Sequence, residues 1–219
     1  MHSHILPGID DGAANEHESA FLINSLVGLG FSQFIATPHI LSDLYPNTPE
    51  TIAAAREKLN GVIDAPVKFA AEYMVDMEFD QKLADGDLLV FDDNYILIEM
   101  SYVAESPNIW SSIFDLKIKG FQPVLAHPER YNFYHGRNEA VYQRFKEAGC
   151  LLQMNILSLA GYYGRYAKNI ATDLLRKKMY DFAGTDAHHQ RHIAALTAFP
   201  QAELELLRGY EFRNSDLKF

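Results

Sequence analysis

The sequence has little of what a secreted or membrane-inserted protein needs. Its single cysteine, Cys150, excludes a disulfide within the chain and favours a reducing compartment. No apolar run approaches the ~20 residues that a membrane-spanning helix requires, and no segment resembles a signal peptide. We therefore expect a cytoplasmic protein that does not insert into a membrane.

Positive charge is also scarce. Lysine and arginine number 19 against 29 aspartates and glutamates, which gives a formal net charge of -10. A nucleic-acid partner would favour a basic face, so we expect no such partner. A phosphorylated substrate remains possible, because bound metal ions can dominate the local field of a site.

Short apolar runs alternate with amphipathic stretches along all 219 residues, without a repeat or a linker-like segment. This pattern predicts an α/β fold in one domain spanning 1–219, with parallel strands joined by helices. We expect seven strands: a stub at residues 2–5, which only Met1 precedes and which is therefore expected to be truncated, and strands at 34–36, 67–71, 95–98, 123–126, 150–154 and 181–183. An open doubly wound sheet and a barrel both fit that count.

Residues of the types that bind metal ions follow nearly every predicted strand. They are His2, His4, Asp11, His39, Glu72, Glu99, His127, Asp186 and His188. The His2-x-His4 and Asp186-x-His188 pairs have the period-two spacing that puts two side chains on one face of an extended segment. Only a closed barrel brings so many strand ends to one mouth, which favours the barrel over the open sheet.

Each of these residues also has an ordinary interpretation. The two N-terminal histidines suit a tail or the remnant of a tag, His39 and His127 suit loops, and Glu72 and Glu99 suit solvated strand ends. Their joint placement favours a metal centre, because a carboxylate that follows an apolar run is costly to bury unpaired. A mixed set of imidazoles and carboxylates suits zinc, manganese or iron.

Two arginines follow the predicted donors at equal spacing. Arg130 comes three residues after His127, and Arg191 comes three after His188, so we expect both on loops at the mouth. An arginine fork binds phosphate through two parallel hydrogen bonds. An ordinary salt bridge, for instance between Arg130 and Glu129, is the alternative.

Seven motifs run in order across almost the whole chain: His2-Ser-His4, Ile-Asp-Asp11-Gly, Ala-Thr-Pro-His39, Ala-Ala-Glu72-Tyr, Leu-Ile-Glu99-Met, Leu-Ala-His127-Pro-Glu-Arg130-Tyr and Gly-Thr-Asp186-Ala-His188. Together they resemble the polymerase and histidinol phosphatase (PHP) superfamily. More narrowly, the chain resembles the bacterial tyrosine-protein phosphatases of capsular and exopolysaccharide gene clusters. The resemblance implies a distorted seven-stranded (β/α) TIM-like barrel that holds three divalent metal ions, usually manganese or iron, with zinc as the further candidate.

Carried over residue by residue, the resemblance implies three ligand sets. The first ion would take His2, His4, Glu72 and Asp186; the second would take Glu72 as a bridge, Glu99 and His127; the third would take Asp11, His39 and His188. Arg130 matches the family's phosphate-binding arginine. Arg191 matches the second arginine less closely, because the string Gln-Arg-His differs from the family's pattern.

The resemblance also implies a reaction. Phosphotyrosine would be hydrolysed by a metal-bridging hydroxide, with Arg130, Arg191, Asp186 and His127 as catalytic residues. The implied protein substrate is a bacterial tyrosine kinase of polysaccharide assembly. Cys150 is predicted to play no part, because it opens an apolar strand and lacks the Gly-Arg loop of cysteine phosphatases.

Other functions fit parts of the pattern. The main alternative is a small-molecule phosphatase of the same superfamily, such as a histidinol-phosphate phosphatase. An amidohydrolase would share the opening His-x-His but would use a modified lysine where this chain has Glu72. A non-catalytic metal-binding module and a nuclease are further alternatives, which the complete donor set and the acidic surface respectively disfavour.

Overall fold

The computed structural model describes residues 1–86, 88–136 and 140–218. The strands are β1 (Phe34–Ala36), β2 (His39–Ile40), β3 (Val67–Phe69), β4 (Glu72–Met74), β5 (Tyr95–Glu99), β6 (Gln122–Ala126), β7 (Leu151–Asn155) and β8 (Phe182–Gly184). The helices are α1 (Glu16–Gly28), α2 (Pro49–Glu57), α3 (Phe79–Asp85), α4 (Ile109–Ile118), α5 (Ala140–Glu147), α6 (Ile156–Ala160), α7 (Arg165–Arg176), α8 (Gln190–Thr197) and α9 (Gln201–Arg208). No helix among these residues is long and apolar enough to cross a membrane.

All pairings between these strands are parallel. One sheet joins β1 to β3, and the other has the order β2-β4-β5-β6-β7-β8. Strands that follow one another in the larger sheet are therefore also neighbours in space, as expected for parallel strands connected by helices. The predicted α/β fold with parallel strands is confirmed.

A proline separates the two sheets. The segments before and after Pro38 run alongside the same neighbouring segment: the Ala70 N–H donates to the Ala36 carbonyl at 2.8 Å, and the Glu72 N–H donates to the Pro38 carbonyl at 3.0 Å. Pro38 has no N–H to donate in return, so the ladder breaks there. The continuous strand expected over 67–71 is wrong for this reason, and pairing resumes at Glu72.

Residues 2–5, expected as a strand stub, form an isolated parallel bridge. Ser3 pairs with Ala187, and the His4 N–H donates to the Ala187 carbonyl at 3.0 Å. On the other side, the Thr37 N–H donates to the Ser3 carbonyl at 2.9 Å. The stub therefore lies between the segment after β8 and the segment after β1.

The strands divide their side chains between two apolar cores. Ile96 and Ile98 of β5 belong to the larger core, whereas Leu97 between them belongs to a smaller inner core. The inner core consists of Ile35, Ala70, Phe91, Leu97, Val124, Ala126 and Phe182. Because strand side chains alternate, residues two or four positions after an inner-core member face the same side. That side becomes polar where the strands end.

Helix starts follow their local signals. The Asn15 side chain accepts a hydrogen bond from the Glu18 N–H at the start of α1, and Thr48 caps α2, whose first residue is Pro49. At the start of α9, Pro200 directly precedes Gln201. Helix α6 has five residues, too few to show a helical period in the sequence.

Candidate metal centre

The predicted donors meet where the strands end. Glu99 lies two residues after inner-core Leu97, and Asp186 lies four after Phe182, so each follows the inner core on the same side of its strand. Each of the nine predicted donors lies within ion-pair distance of at least one other: His2, His4, Asp11, His39, Glu72, Glu99, His127, Asp186 and His188. The structure therefore brings the whole predicted set together.

The first group has the spacing of ligands that share one ion. His2 Nε2 lies 3.2 Å from both Glu72 Oε2 and Asp186 Oδ1, and His4 Nε2 lies 3.3 Å from the same two oxygens. The two Nε2 atoms are 3.3 Å apart. Ligands held about 2.0–2.1 Å from one ion in a tetrahedron are themselves about 3.3 Å apart. These four residues fit a divalent cation.

The hydrogen bonds behind the two histidines leave their Nε2 atoms able to bind a metal. His2 Nδ1 lies 2.8 Å from Gln153 Oε1, and the Gln153 amide is oriented because its Nε2 donates to the Met154 carbonyl at 2.6 Å. His4 Nδ1 lies 2.8 Å from Asp10 Oδ2. With a metal ion bound, each Nδ1 would keep its proton and each Nε2 would present a lone pair to the ion.

A second group surrounds the other oxygen of Glu72. His127 Nε2 lies 3.1 Å from Glu72 Oε1 and 3.9 Å from Glu99 Oε2. His39 joins these carboxylates, since its Nδ1 is 2.8 Å from Glu99 Oε1 and 3.2 Å from Glu72 Oε2. Glu72 thus touches donors of both groups, as a bridging carboxylate would.

A third group lies nearer the surface. The Oδ1 atom of Asp11 is 3.5 Å from both His39 Nε2 and His188 Nε2, and His4 completes the set. The hydrogen bond with His188 lowers the Asp11 pKa to about 2, although partial burial opposes this shift. His39 therefore lies between the second and third groups rather than in the third alone.

Glu72 is the electrostatic centre of the site. Its Oε2 atom is buried and accepts no hydrogen bond from any described residue. Burial alone would raise the Glu72 pKa, but the charge of His2 and the hydrogen bond from His127 hold it well below its usual range. Burial alone would lower the His2 pKa, but Glu72 and Asp186 raise it to about 10. Without a cation, protonated imidazoles neutralise these carboxylates, and cation binding would displace their protons.

The backbone is strained at the same place. Among the described residues, five non-glycine residues have positive φ, and three are donors: His2 at 65°, His127 at 34° and Asp186 at 48°. Such conformations cost about 1–3 kcal/mol each and persist where a site requires them. A side chain at Gly12 would place its Cβ 2.0 Å from the His4 carbonyl oxygen, so only glycine fits beside that donor.

Arg130 adjoins the first group. Its Nη1 donates to Asp186 Oδ2 at 2.6 Å, and its guanidinium carbon lies 4.6 Å from the ring centre of Tyr102 and 3.9 Å from that of Tyr163. The guanidinium is therefore held next to the donors. Glu129, the example given for an ordinary salt bridge with Arg130, instead accepts hydrogen bonds from the Tyr180 hydroxyl and a backbone N–H.

Arg191 does not lie on a loop, contrary to the sequence-based expectation. It is the second residue of α8 and is exposed, and it is absent from the described residues that line the cavity at the donors. Of the two histidines that flank the site, His192 is buried, and its Nδ1 accepts the His188 N–H at 3.1 Å. His189 directly precedes α8, and its side chain makes no capping hydrogen bond to the helix.

Sequence reasoning missed the residues that hold the donors from behind. They are Asp10, Gln153 and Asn155, which contact His4, His2 and Asp186 respectively. The signal was present for the last two, because they lie at alternate positions of β7 behind Leu151, which packs on the inner core. Both residues lie within β7, whereas the predicted donors follow predicted strands.

Cys150 lies at the opposite end of the strands. It directly precedes β7, whereas Glu99 is the last residue of β5 and His127 directly follows β6. The thiol is buried, and burial raises its pKa to about 12. A protonated, inaccessible thiol is a poor nucleophile.

An open cavity of about 270 Å³ leads to the donors. Its polar lining includes Asp11, Glu99, Arg130 and Asp186. Its apolar lining consists of Leu41, Leu44, Tyr45, Met74 and Tyr102. The cavity therefore joins a charged floor to an apolar wall.

Parallel strands bring together imidazoles and carboxylates in groups that could each hold a metal ion. They define the class to which this protein belongs, the α/β proteins with a candidate metal centre. The sequence profile of the family described as "Capsular polysaccharide synthesis, CpsB/CapC" matches residues 1–197. The chain belongs to this family, which confirms the predicted resemblance.

Individual relatives agree with this assignment. The chain is 33% identical over 195 residues to the tyrosine-protein phosphatase YwqE of Bacillus subtilis, an alignment covering 86% of this chain and 76% of YwqE. It is 26% identical over 200 residues to the tyrosine-protein phosphatase CpsB of Streptococcus pneumoniae, covering 86% and 82% of the two chains. A crystal structure from a study of YwqE and CpsB, described as unique metal-dependent tyrosine phosphatases, matches with a TM-score of 0.77 and 27% identity over 96% of this chain and 94% of that one.

Proposed function

We propose that this protein is a metal-dependent phosphatase that hydrolyses phosphotyrosine in proteins, as the names of its relatives state for them. The observation that carries the proposal is the group of His2, His4, Glu72 and Asp186, whose donor atoms have the spacing of ligands around one ion. Arg130 donates a hydrogen bond to Asp186 and so would lie beside the ion. The family description supports a role in capsular or exopolysaccharide synthesis.

We propose three divalent cations, manganese or iron in the first place and zinc as a further candidate. His2, His4, Glu72 and Asp186 would hold the first, Glu72, Glu99 and His127 the second, and Asp11, His39 and His188 the third; the contacts of His39 with both carboxylates of the second group support a shared role for it. When bound, such ions lower the pKa of water and neutralise the charge of phosphoryl oxygens.

Arg130 would bind the phosphoryl group. Asp186 occupies one nitrogen of its guanidinium, and the other N–H groups of the fork can donate to phosphate oxygens. The rings of Tyr102 and Tyr163 hold the guanidinium plane in place, so little conformational freedom is lost on binding. Arg191 stays a prediction without a structural contact to support it.

The leaving group distinguishes this function from the main alternative. A tyrosine phenolate has a pKa of about 10 and departs with less need for a proton donor than the alkoxide released from histidinol phosphate. We propose a phosphorylated tyrosine kinase of polysaccharide assembly as the protein substrate, acting in the cytoplasm. The family's association with capsule synthesis supports this choice of partner.

We also propose that residues 1–219 form one domain and that its strands close into the distorted seven-stranded TIM-like barrel. The hydrogen bonds of the stub to Ala187 on one side and to Thr37 on the other support closure, because they link the segment after β8 to the segment after β1. The inner core supports it too, since Ile35 of β1 and Phe182 of β8 both belong to that core.

Turnover of two substrates under controlled metal loading tests the function. We expect manganese- or iron-loaded protein to hydrolyse a phosphotyrosine peptide much faster than histidinol phosphate and to lose activity in chelator. Arg130→Lys keeps the charge but loses the fork, so inhibition by orthophosphate should weaken about ten-fold or more, which corresponds to the loss of one or two charged hydrogen bonds. Faster turnover of histidinol phosphate would favour the alternative function, and undiminished activity in chelator would contradict the proposal.

A further inference from the structure

Apart from Tyr102, which packs against Arg130, the apolar wall of the cavity has no role in the proposed binding of metal or phosphate. Leu44 lines the cavity although 62% of its surface is exposed. Tyr45 follows it, with its ring nearly parallel to the His39 ring at a centroid distance of 5.8 Å. We propose that Leu44 and Tyr45, together with Tyr102, form an aryl subsite that receives the ring of a phosphotyrosine side chain. This inference rests on the proposed phosphatase function and adds how that site selects its substrate.

Hydrogen bonds hold the turn that contains Leu44 and Tyr45. Its ends are paired, since the Leu41 N–H donates to the Tyr45 carbonyl at 3.0 Å and the Tyr45 N–H donates to the Leu41 carbonyl at 2.8 Å. The Ser42 hydroxyl donates to Asp76 Oδ2 at 2.9 Å. The exposed Leu44 is therefore held at the mouth of the cavity, next to Tyr45.

Tyr102 connects the apolar wall to the phosphate site. Its ring lies 4.6 Å from the guanidinium carbon of Arg130, and its hydroxyl oxygen lies 3.4 Å from His127 Nε2. A substrate ring in contact with Tyr102 therefore has its phosphate next to the arginine and the donors. Aromatic pairs gain from stacked or edge contacts beyond the area that they bury.

The size and lining of the cavity suit one phosphorylated aromatic side chain. Its volume of about 270 Å³ lies just below the ~300–1,000 Å³ of pockets that enclose drug-sized ligands. The apolar wall would contact a phenyl ring and would gain nothing from the short aliphatic chain of phosphoserine. The wall therefore favours phosphotyrosine over aliphatic phosphomonoesters.

Binding of two phosphonates isolates the contribution of the ring. Calorimetry on manganese-loaded protein compares phenylphosphonate with methylphosphonate, which share the phosphate-like group and are not hydrolysed. We expect the wild-type protein to prefer phenylphosphonate by about ten-fold or more, the factor that corresponds to about 1.4 kcal/mol. Leu44→Ala should lower this ratio several-fold, and Tyr45→Leu should bring it near one. Tyr45→Phe should preserve it.

Ile118→Ala is the matched control, because Ile118 is an apolar residue of α4 with 72% of its surface exposed and does not line the cavity. It should leave the ratio unchanged. The same variants should change the ratio of kcat/KM for a phosphotyrosine peptide to that for a phosphoserine peptide in parallel.

Equal binding of the two phosphonates by the wild-type protein would overturn the aryl subsite. So would a ratio that persists in both Leu44→Ala and Tyr45→Leu. A wild-type protein that prefers phenylphosphonate but hydrolyses no phosphotyrosine peptide would support the subsite and overturn only the proposed function.

Discussion

The two ends of the strands differ in the side chains that they bury. Behind the donors, the inner face is filled by apolar side chains such as Leu97, Val124 and Phe182, all fully buried. A few residues further along each strand the same face carries imidazoles and carboxylates. Burial of apolar surface stabilises the first end, whereas buried charge and positive φ values destabilise the second. The apolar end supplies the stability that allows the polar end to be strained and charged.

Among these predictions, substitution of Asp186 at the polar end of the strands should have the largest effect on activity. Asp186 contacts His2, His4 and Arg130. Asp186→Ala should therefore lower kcat/KM for a phosphotyrosine peptide by at least about a thousand-fold, a loss of several kcal/mol of transition-state stabilisation. Metal content measured by mass spectrometry should fall in parallel, as it should for His127→Ala. Full metal content with normal activity would contradict this assignment.

Phe182 tests the other end. It is fully buried and makes edge contacts with the rings of Phe91 and Tyr95, at centroid distances of 5.9 and 5.4 Å. Phe182→Ala should lower the free energy of unfolding by about 3–5 kcal/mol. Activity per folded, metal-loaded molecule should change little. Chemical denaturation measures the free energy of unfolding. A large loss of activity per folded, metal-loaded molecule would contradict the separation of the two ends.

Gln153 lies inside β7 but contacts the donor His2. Its replacement therefore tests whether a strand residue helps to position a metal ligand. Its Oε1 accepts from His2 Nδ1 at 2.8 Å. Gln153→Leu should weaken metal binding about 10–100-fold, the usual effect of removing a partner that orients a ligand. Gln153→Glu keeps an acceptor and should bind metal more tightly than Gln153→Leu. Equal metal affinities of both variants and the wild-type protein, measured by calorimetry, would remove this positioning role.

Cys150→Ser should have the smallest effect on turnover, less than about two-fold, because the thiol lies at the end away from the donors. The buried hydroxyl should lower the free energy of unfolding by about 1–3 kcal/mol. A thiol whose pKa is raised to about 12 stays protonated at pH 8, so iodoacetamide should not alkylate Cys150 in the folded protein. Rapid alkylation accompanied by loss of activity would contradict this.

The sequence predicted the donors better than it predicted their supports. Glu99 and Asp186 could be found because each follows an apolar strand, a signal that needs only one segment of the chain. Alternation along β7 places Gln153 on the same side as the donors. Its partner His2, however, is 151 positions away, and no local pattern pairs the two residues. Arg191 is an example of a residue that the sequence predicted at the site but that lies elsewhere. Its spacing after His188 suggested a loop, but it lies in α8, which begins at Gln190, and it does not line the cavity.

Strand lengths were also only partly predictable. The apolar run before Glu72 predicted a continuous strand, because the sequence of one strand does not reveal where its neighbour lacks a donor. That information lies in Pro38, in a different segment, and becomes readable only when the pairing is known. Likewise, the stub at residues 2–5 was recognised from its histidines, whereas its single bridge to Ala187 depends on tertiary packing.

An anomalous difference map from a manganese-soaked crystal tests the central claim most directly. We predict a peak about 2.0–2.2 Å from His2 Nε2, His4 Nε2, Glu72 Oε2 and Asp186 Oδ1, with further peaks beside Glu99 and Asp11. A map without peaks among these atoms, from crystals whose protein hydrolyses phosphotyrosine in the presence of chelator, would contradict the account.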